Sequence, residues 1–263
     1  MPAVENAHYF REKITDGSVA LGTCVTIADP VVTEALARVL DFVWIDMEHN
    51  PLTLDRVLGH LMATKGSRTT PLVRVAANDP VLVKPVLDIG AAGVIIPLVR
   101  TADDVRAAVA ACRYPPQGVR GFGPRRPSNY GGIGSLEFCQ RANQEIITIV
   151  QIEQRQALDN LDEILTVEGL TSIVVGPNDL AASLGHTGQP WHEENIAAIE
   201  TIIMKARAAG VPMGLATADD PKLLDRWVDQ GVSWLAIAAD YGLMLRAARE
   251  SVDHVRQHQK RGS

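Results

Sequence analysis

The sequence is poor in aromatic residues and in cysteine, and each shortage narrows the kinds of protein it can be. Phe, Trp and Tyr together make up 5% of its 263 residues, so the core must consist mainly of aliphatic side chains. Cys24, Cys112 and Cys139 form no CxxC pair, which argues against a disulfide framework and against a zinc knuckle. A reducing compartment is the simplest interpretation.

The sequence also contains no long apolar run and no excess of basic over acidic residues. No apolar run reaches the roughly 18 residues of a membrane span, and the stretch "MPAVENAHYFREKI" at residues 1–14 predicts an amphipathic helix rather than a signal peptide. The net charge is -6, and Arg and Lys are interleaved with Asp and Glu, which argues against a nucleic-acid or anionic-membrane partner. We expect a soluble, cytoplasmic protein whose partners are small molecules.

What the sequence does contain is an alternation of short apolar stretches with longer amphipathic ones. This alternation is typical of a parallel sheet covered by helices. Eight strand candidates with helices between them predict a single (β/α)8 TIM barrel over residues 1–263. The candidates are residues 19–25, 42–46, 71–75, 93–99, 146–153, 172–176, 212–216 and 234–239.

One segment, residues 114–135, fits no strand-helix unit. It is dense in Gly and Pro and carries Arg120, Arg125 and Arg126. A loop of this length inside a compact domain is usually functional or disordered. Two interpretations are open: the arginines meet the distal anionic end of a substrate, or they only solvate the surface.

The active site of such a barrel lies at the carboxyl ends of the strands, so polar residues that end apolar runs are the first candidates. The stretch "DFVWIDMEHNP" at residues 41–51 shows the feature clearly, because an apolar run ends in two carboxylates and an imidazole. The candidates at strand ends are Asp46 and His49, Arg74, Gln151 and Glu153, and Asp179.

Glu153 and Asp179 are the candidate metal ligands. They follow successive strands, which stand about 5 Å apart in a sheet, so their side chains can converge on one hard cation. Oxygen donors of this kind favour Mg²⁺, Mn²⁺ or Co²⁺ over structural zinc. Gln151 faces the same side of the strand as Glu153. Alternatively, each acid is an ordinary helix-start residue favoured by the helix dipole.

The stretch "GPND" at residues 176–179 is a candidate anion site. After the Gly176-Pro177 turn a helix begins, and the free amides of its first turn, at Asn178 and Asp179, can hold a carboxylate or a phosphate. In an alternative interpretation, Asn178 is an ordinary helix cap. The two interpretations are compatible with each other.

His49 and Arg74 are the candidate catalytic side chains. Asp46 stands three residues before His49, close enough to fix the tautomer of the imidazole and raise its basicity; an incidental loop histidine is the alternative. Arg74 interrupts an apolar strand, and because an unpaired buried guanidinium is very costly it needs either a structural salt bridge or a substrate oxyanion. The strand candidates contain no interior lysine, which disfavours a Schiff-base mechanism.

Five stretches resemble, in order and spacing, the HpcH/HpaI aldolases, the class II pyruvate-dependent aldolases. The resemblance covers residues 22–247. It implies a (β/α)8 barrel whose last helix is commonly exchanged between dimer partners, with dimers assembled into a hexamer. The stretches are "DFVWIDMEHNPLTLD", "PLVRVAANDPVLVKPVLDIGAAGVIIPLV", "RYPPQGVRGFG", "IVQIEQRQALDNLDEIL" and "IVVGPNDLAASLG".

The resemblance also implies an activity, the cleavage of a 4-hydroxy-2-oxo acid to pyruvate, or a related 2-oxo acid such as hydroxypyruvate, and an aldehyde. A divalent metal and Arg74 stabilise the enolate that forms, while His49 with Asp46 acts as the acid/base pair. The metal ligands are then Glu153 and Asp179. The residues implied around the substrate are Gln151, Gly176, Pro177, Asn178, Asp179 and Ala216.

The sequence departs from the family pattern at two positions that bear on the site. Met47 stands where many relatives have Gly, and Ala216 stands where some carry a bulkier apolar residue, which predicts a wider aldehyde pocket. Two other functions remain open. A citrate-lyase-like enzyme acting on a CoA thioester would need a nucleotide site, for which no candidate is found. A non-catalytic barrel would have lost some of the catalytic positions, all of which are present.

Overall fold

The computed structural model describes residues 4–261, and their architecture follows from eight short strands. All eight strands are parallel, and each pairs with its neighbours in sequence, with β8 closing onto β1. The strands are β1 Ala20–Val25, β2 Phe42–Asp46, β3 Thr70–Arg74, β4 Gly93–Ile96, β5 Ile147–Ile152, β6 Ser172–Val175, β7 Met213–Thr217 and β8 Trp234–Ala239. The predicted (β/α)8 TIM barrel is confirmed.

Helices cover the outside of the barrel and close its amino-terminal end. Each helix among the described residues is too short or too polar to cross a bilayer. The helices are α1 Ala7–Lys13, α2 Pro30–Leu36, α3 Leu54–Ala63, α4 Pro80–Asp88, α5 Ala102–Cys112, α6 Ser135–Glu145, α7 Arg155–Asp159, α8 Leu161–Ile164, α9 Pro177–Ser183, α10 Glu193–Ala208, α11 Pro221–Gln230 and α12 Asp240–Arg261. The part of the predicted first helix at residues 1–3 lies outside the described residues.

Aspartate-proline pairs define where three of these helices begin. Asp29, Asp79 and Asp220 each accept a hydrogen bond from the backbone N–H two residues later, and a proline occupies the first helical position in each case. The carboxylate satisfies a helix N–H that has no partner within the helix, and proline lacks the N–H that would otherwise need one. Each helix therefore starts a fixed, short distance after its strand, which keeps the loops at the carboxyl ends compact.

Three aromatic residues pack together in the amino-terminal half of the barrel interior. The ring of Phe10 on α1 lies 5.4 Å from that of Phe42 and 5.6 Å from that of Trp234. Two strand glycines make room for them: a Cβ on Gly214 would stand 2.0 Å from the Trp234 ring, and one on Gly22 would stand 2.6 Å from the Phe42 ring. These three rings fill the amino-terminal end of the barrel, so only the carboxyl end is open.

The Gly/Pro-rich loop lies at the amino-terminal end, because it leads from helix α5 back towards strand β5. Arg120 donates a 2.7 Å hydrogen bond to Asp88, the last residue of α4. Arg126 donates to the carbonyl of Ile89 at 3.1 Å, just after the same helix. Within one chain these two arginines therefore fix the loop to the end opposite the expected active site, which disfavours the interpretation that they meet the substrate of the same chain. Arg125 is exposed in the same loop.

Candidate functional site

Arg74 and Asp46 form a buried ion pair at the carboxyl ends of β2 and β3. Sheet register places them side by side, and Nε of Arg74 donates to Oδ1 of Asp46 at 2.7 Å. Asp46 is 2% exposed and also accepts from the Asn50 side chain at 2.6 Å and from the Glu48 amide at 3.1 Å. Burial alone would raise the pKa of Asp46, but the hydrogen bond and charge of Arg74 outweigh it and hold that pKa below its usual value.

Glu48 is the second anionic partner of Arg74, and the sequence analysis gave it no role. Its Oε2 lies 3.0 Å from a terminal nitrogen of Arg74 and 3.5 Å from Nε2 of His49. Burial raises the pKa of Glu48, although Arg74 and His49 oppose the shift. The carboxylate within ion-pair distance of His49 is thus Glu48, whereas Asp46 bonds Arg74, Asn50 and the Glu48 amide. The signal was available in sequence, because Glu48 adjoins His49.

Trp44 forms a support beneath Arg74. It lies two residues before Asp46 on β2 and so points to the same side of the strand, into the barrel. The guanidinium carbon of Arg74 lies 5.0 Å from the centroid of the indole ring, within the range of a cation–π interaction. Two carboxylates and one aromatic face therefore hold the guanidinium in place.

Glu153 and Gln151 form the opposite side of the site, on β5. Glu153 is 1% exposed; its Oε1 accepts a 2.7 Å hydrogen bond from the amide of Leu98, and its Oε2 accepts from the Gln151 side chain. Leu98 reaches this position with a left-handed backbone, φ 58°, which a leucine rarely adopts. Burial raises the pKa of Glu153 to about 7, and the negative charges of Glu48 and Asp179 add to the shift.

Gly176 separates this acidic group from helix α9. A Cβ at Gly176 would lie 2.6 Å from Nε2 of Gln151 and 2.9 Å from Oε2 of Glu153, so a larger residue would displace both side chains. Pro177 opens α9, and Asn178 and Asp179 follow, exposed in its first turn. The residues predicted at the ends of β5 and β6 are thereby brought to one place.

Arg74, His49, Gln151 and residues 176–179 line one cavity of about 310 Å³ at the carboxyl end of the barrel. One side is polar, and the other is formed by small or apolar residues of β1, β2, β7 and β8. The lining residues are Cys24, Trp44, His49, Arg74, Gln151, Gly176, Pro177, Asn178, Asp179, Ala216, Ala236 and Ala238. Sequence reasoning missed Cys24, Trp44, Ala236 and Ala238, because uncharged residues at strand ends give no chemical signal.

The acidic group fits a hard divalent cation. Glu153 is a buried carboxylate whose pKa is raised by burial and also by the negative charge of Asp179, so a cation bound nearby would stabilise its ionised form. Carboxylate and amide oxygens are the donors that Mg²⁺ and Mn²⁺ prefer. Because Gly176 has no Cβ, the Glu153 and Gln151 side chains can lie against the start of α9. The residues therefore suit the ion that the family resemblance implies.

A second group of potential ligands, His186, His192 and Glu194, has another function. One ligand atom from each lies within 4.8 Å of the others. The two imidazole rings are stacked 3.5 Å apart, so their nitrogen lone pairs point side by side rather than at a common ion. His192 accepts from the Glu194 amide, and His186 bonds the Glu194 carboxylate at 2.8 Å. We infer that these three residues stabilise the start of α10, where the His192 side chain caps the helix.

The sequence profile of the HpcH/HpaI aldolase/citrate lyase family matches residues 25–247. The chain belongs to this family. It is 39% identical to a pyruvate aldolase of Rhizobium etli over 92% of this chain and 94% of that protein. It is 40% identical to a 2-dehydro-3,6-dideoxy-6-sulfogluconate aldolase of Pseudomonas putida over 89% and 91%.

Among solved structures, an HpcH/HpaI aldolase/citrate lyase family protein from Burkholderia cenocepacia superposes with a TM-score of 0.89 at 31% identity, covering 95% of this chain and 99% of that one. The matches confirm the predicted family. They also confirm the prediction that this chain is a metal-dependent aldolase that forms pyruvate. The citrate-lyase-like alternative is less supported.

Replacing Asp46 by Asn tests the buried ion pair. The variant keeps the size of the side chain but leaves Arg74 with Glu48 as its only carboxylate, so we expect a loss of about 1.5–3 kcal/mol in the free energy of unfolding, measured with urea. The control is Asp103→Asn, which removes the carboxylate of the exposed Arg106–Asp103 pair and should change stability little. Equal stability losses in the two variants would contradict the structural role of Asp46.

Proposed function

We propose that this HpcH/HpaI aldolase reversibly cleaves a 4-hydroxy-2-oxo acid to pyruvate, or hydroxypyruvate, and an aldehyde, with Glu153 and Asp179 holding a divalent cation. The observation that carries the proposal is the buried Glu153 carboxylate, which bonds Gln151 and feels the charge of Asp179, while Gln151 and Asp179 line the same cavity as Arg74. The lining residues within the described chain include no lysine, so a Schiff base has no amine to form on.

Glu153 and Asp179 are proposed to bind Mg²⁺, Mn²⁺ or Co²⁺. When bound, the cation supplies positive charge to the 2-oxo oxygen of the substrate. Gln151 orients Glu153 through the hydrogen bond between their side chains. Asn178 and Asp179 offer their backbone amides to the substrate carboxylate, and Gly176 and Pro177 shape the turn that leads to those amides.

Arg74 is proposed to stabilise the negative charge that develops on the pyruvate half. When the C3–C4 bond breaks, its electron pair passes to C3 and is delocalised onto the 2-oxo oxygen as an enolate. Arg74 is held by Asp46, Glu48 and the Trp44 ring, so it needs no reorganisation during the reaction. Asp46 positions Arg74 through this hydrogen bond, and its predicted role as the partner of His49 stays a prediction.

His49 is proposed to accept the proton of the C4 hydroxyl as that carbon becomes the aldehyde carbonyl. Its side chain is 60% exposed and lines the cavity, so the imidazole can reach a bound substrate and also exchange protons with solvent. Oε2 of Glu48 lies 3.5 Å from Nε2 of His49, close enough to help orient the imidazole. In the synthetic direction the same proton returns to the new hydroxyl.

A second copy of the chain is the proposed partner of helix α12. Its exposed long apolar side chains are spaced three, four or seven residues apart, which places them along one face of the helix. These residues are Tyr241, Met244, Leu245, Val252 and Val255. We propose that this face docks on a partner subunit, by exchange of the last helix within a dimer, in a hexamer built as a trimer of dimers. We also propose that residues 1–263 act as one cytoplasmic domain.

Replacing Glu153 by Gln tests the metal ligand. The amide preserves the shape of the side chain but removes its negative charge, so we expect affinity for Mn²⁺ to fall at least about 10-fold, measured by calorimetry on EDTA-treated protein. Cleavage activity should fall with it. The matched control is Glu163→Gln on the exposed side of α8. Unchanged Mn²⁺ affinity, or full activity after exhaustive removal of metal, would remove Glu153 from this role.

Two reactions separate the roles of Arg74 and His49. The enolate arises both in aldol cleavage and in exchange of the pyruvate methyl protons, so Arg74→Ala should damage both reactions. The C4 hydroxyl exists only in the aldol substrate, and His49→Ala should therefore slow cleavage by about 10²–10⁴-fold and affect exchange less.

Asp46→Asn serves as the companion variant in this experiment. Because Asp46 bonds Arg74, we expect it to lower both reactions, as Arg74→Ala does but by a smaller factor. Cleavage is measured by pyruvate release and exchange by proton NMR in D₂O. Unimpaired cleavage in His49→Ala would eliminate His49 as the base.

Replacing Leu245 by Asp tests the docking of α12. A carboxylate within the apolar face should disrupt association, and the molar mass in solution, measured by light scattering, should fall towards that of one chain. Gln257→Asp, on the opposite side of the helix, should leave the mass unchanged. A wild-type protein that is already monomeric at micromolar concentration would contradict the proposal.

A further inference from the structure

We propose that Leu98 is a positioning residue for Glu153, and that the affinity of the enzyme for its divalent cation depends on the left-handed backbone of this leucine. The inference rests on the proposed function, in which Glu153 is a metal ligand. Leu98 lies in the loop between β4 and α5, and its φ of 58° is one that a leucine rarely adopts. Its backbone N–H donates a 2.7 Å hydrogen bond to Oε1 of Glu153.

Burial of the Leu98 side chain does not compensate for this backbone conformation. Within one chain Leu98 is 46% exposed, whereas its neighbours Pro97 and Val99 are buried. A residue in an unfavourable backbone region persists only where the surrounding structure holds it there, and such residues occur most often at functional sites. The hydrogen bond from the Leu98 N–H to Glu153 is the interaction that connects this conformation with the site.

The loop that carries Leu98 is tied to the elements on both sides of it. The backbone N–H of Arg100 donates to the Asp104 carboxylate on α5 at 2.9 Å. Nε of Arg100 donates to the side chain of Gln154 at 2.7 Å, and Gln154 directly follows Glu153 in the chain. The loop after β4 therefore contacts two adjacent residues at the end of β5, which keeps the Leu98 N–H directed at Glu153.

The direction of this N–H matters because the Glu153 carboxylate is buried. Glu153 is 1% exposed, and its two oxygens accept hydrogen bonds from the Leu98 N–H and from the Gln151 side chain. A backbone donor stabilises the ionised carboxylate, which is the form that binds a cation, and two donors restrict the rotation of the carboxylate. Each carboxylate oxygen has a further lone pair for a cation. Hydrogen-bond partners of a metal ligand typically change metal affinity by about 10–100-fold.

Two substitutions at position 98 test the role of the backbone conformation. Leu98→Gly keeps the N–H and adopts a positive φ without steric cost, whereas Leu98→Ile introduces a β-branched side chain that is still less compatible with this φ than leucine. Binding of Mn²⁺ to EDTA-treated protein is measured by calorimetry. We expect Leu98→Ile to bind Mn²⁺ at least about 10-fold more weakly than the wild type, and Leu98→Gly to stay within about 3-fold of it.

The matched control is Leu136→Ile, which makes the same change at an exposed leucine in the first turn of α6 and should leave Mn²⁺ affinity unchanged. Folding of each variant is checked by circular dichroism. A merely structural role of Leu98 would lower the free energy of unfolding of the metal-free protein and leave the Mn²⁺ affinity of the folded protein unchanged. Wild-type affinity in a folded Leu98→Ile variant therefore overturns the inference. Losses of equal size in Leu98→Ile and Leu98→Gly also overturn it, because they would follow from the missing leucine side chain.

A change of one backbone group replaces Leu98→Ile if that variant does not fold. Incorporation of the α-hydroxy acid analogue of leucine at position 98 replaces the N–H by an ester oxygen and keeps the side chain. The ester cannot donate to Glu153, so Mn²⁺ affinity should fall at least about 10-fold. The same ester at position 136 is the control. Unchanged affinity with the ester at position 98 overturns the inference.

Two reference measurements keep the inference separate from the proposed function. If the wild type binds Mn²⁺ and Glu153→Gln weakens that binding, the proposed metal site stands, and the variants at position 98 decide the inference alone. If the wild type does not bind Mn²⁺, or if Glu153→Gln binds it equally well, the proposed role of Glu153 fails and the inference fails with it.

Discussion

The buried guanidinium of Arg74 is the constraint around which the site is organised. A cation with 8% exposure would destabilise the barrel if it were unpaired, and Asp46, Glu48 and the Trp44 ring supply the compensation from the adjacent strand and its loop. The same contacts fix its direction. One set of interactions therefore stabilises the buried Arg74 and directs its guanidinium towards the cavity. For this reason the barrel tolerates a charged residue in strand β3.

The packing of the barrel interior determines where a charged side chain can lie. Phe10, Phe42 and Trp234 fill the amino-terminal half of the interior, and the glycines at positions 22 and 214 admit their rings. The layer of side chains above them includes Trp44, and only beyond that layer does the interior open to solvent. Charged side chains are thus confined to the last residues of each strand, where water and substrate can reach them.

The sequence predicted all eight strands and the polar residues near the cavity, because apolar runs ending in polar residues report directly on strand ends. It did not predict that the carboxylate 3.5 Å from His49 is that of Glu48, since that depends on the turn after β2. Nor did it indicate the left-handed Leu98 or the bulge at Ala238, which tertiary packing imposes. The sequence left the role of the loop arginines open, because their contacts with Asp88 and Ile89 depend on how the loop packs against the end of α4.

The balance of charge connects the proposed metal with the substrate. Asp46, Glu48, Glu153 and Asp179 lie near one guanidinium, so the site has an excess of negative charge, and the pKa of about 7 at Glu153 reflects burial together with the charges of Glu48 and Asp179. With all four carboxylates ionised the sum is three negative charges, and a divalent cation would reduce it to one. A 2-oxo acid is itself an anion, so it would bind far more favourably after a cation than to the uncompensated carboxylates. The same carboxylates that hold Arg74 and suit a metal therefore make the proposed cation a condition for substrate binding.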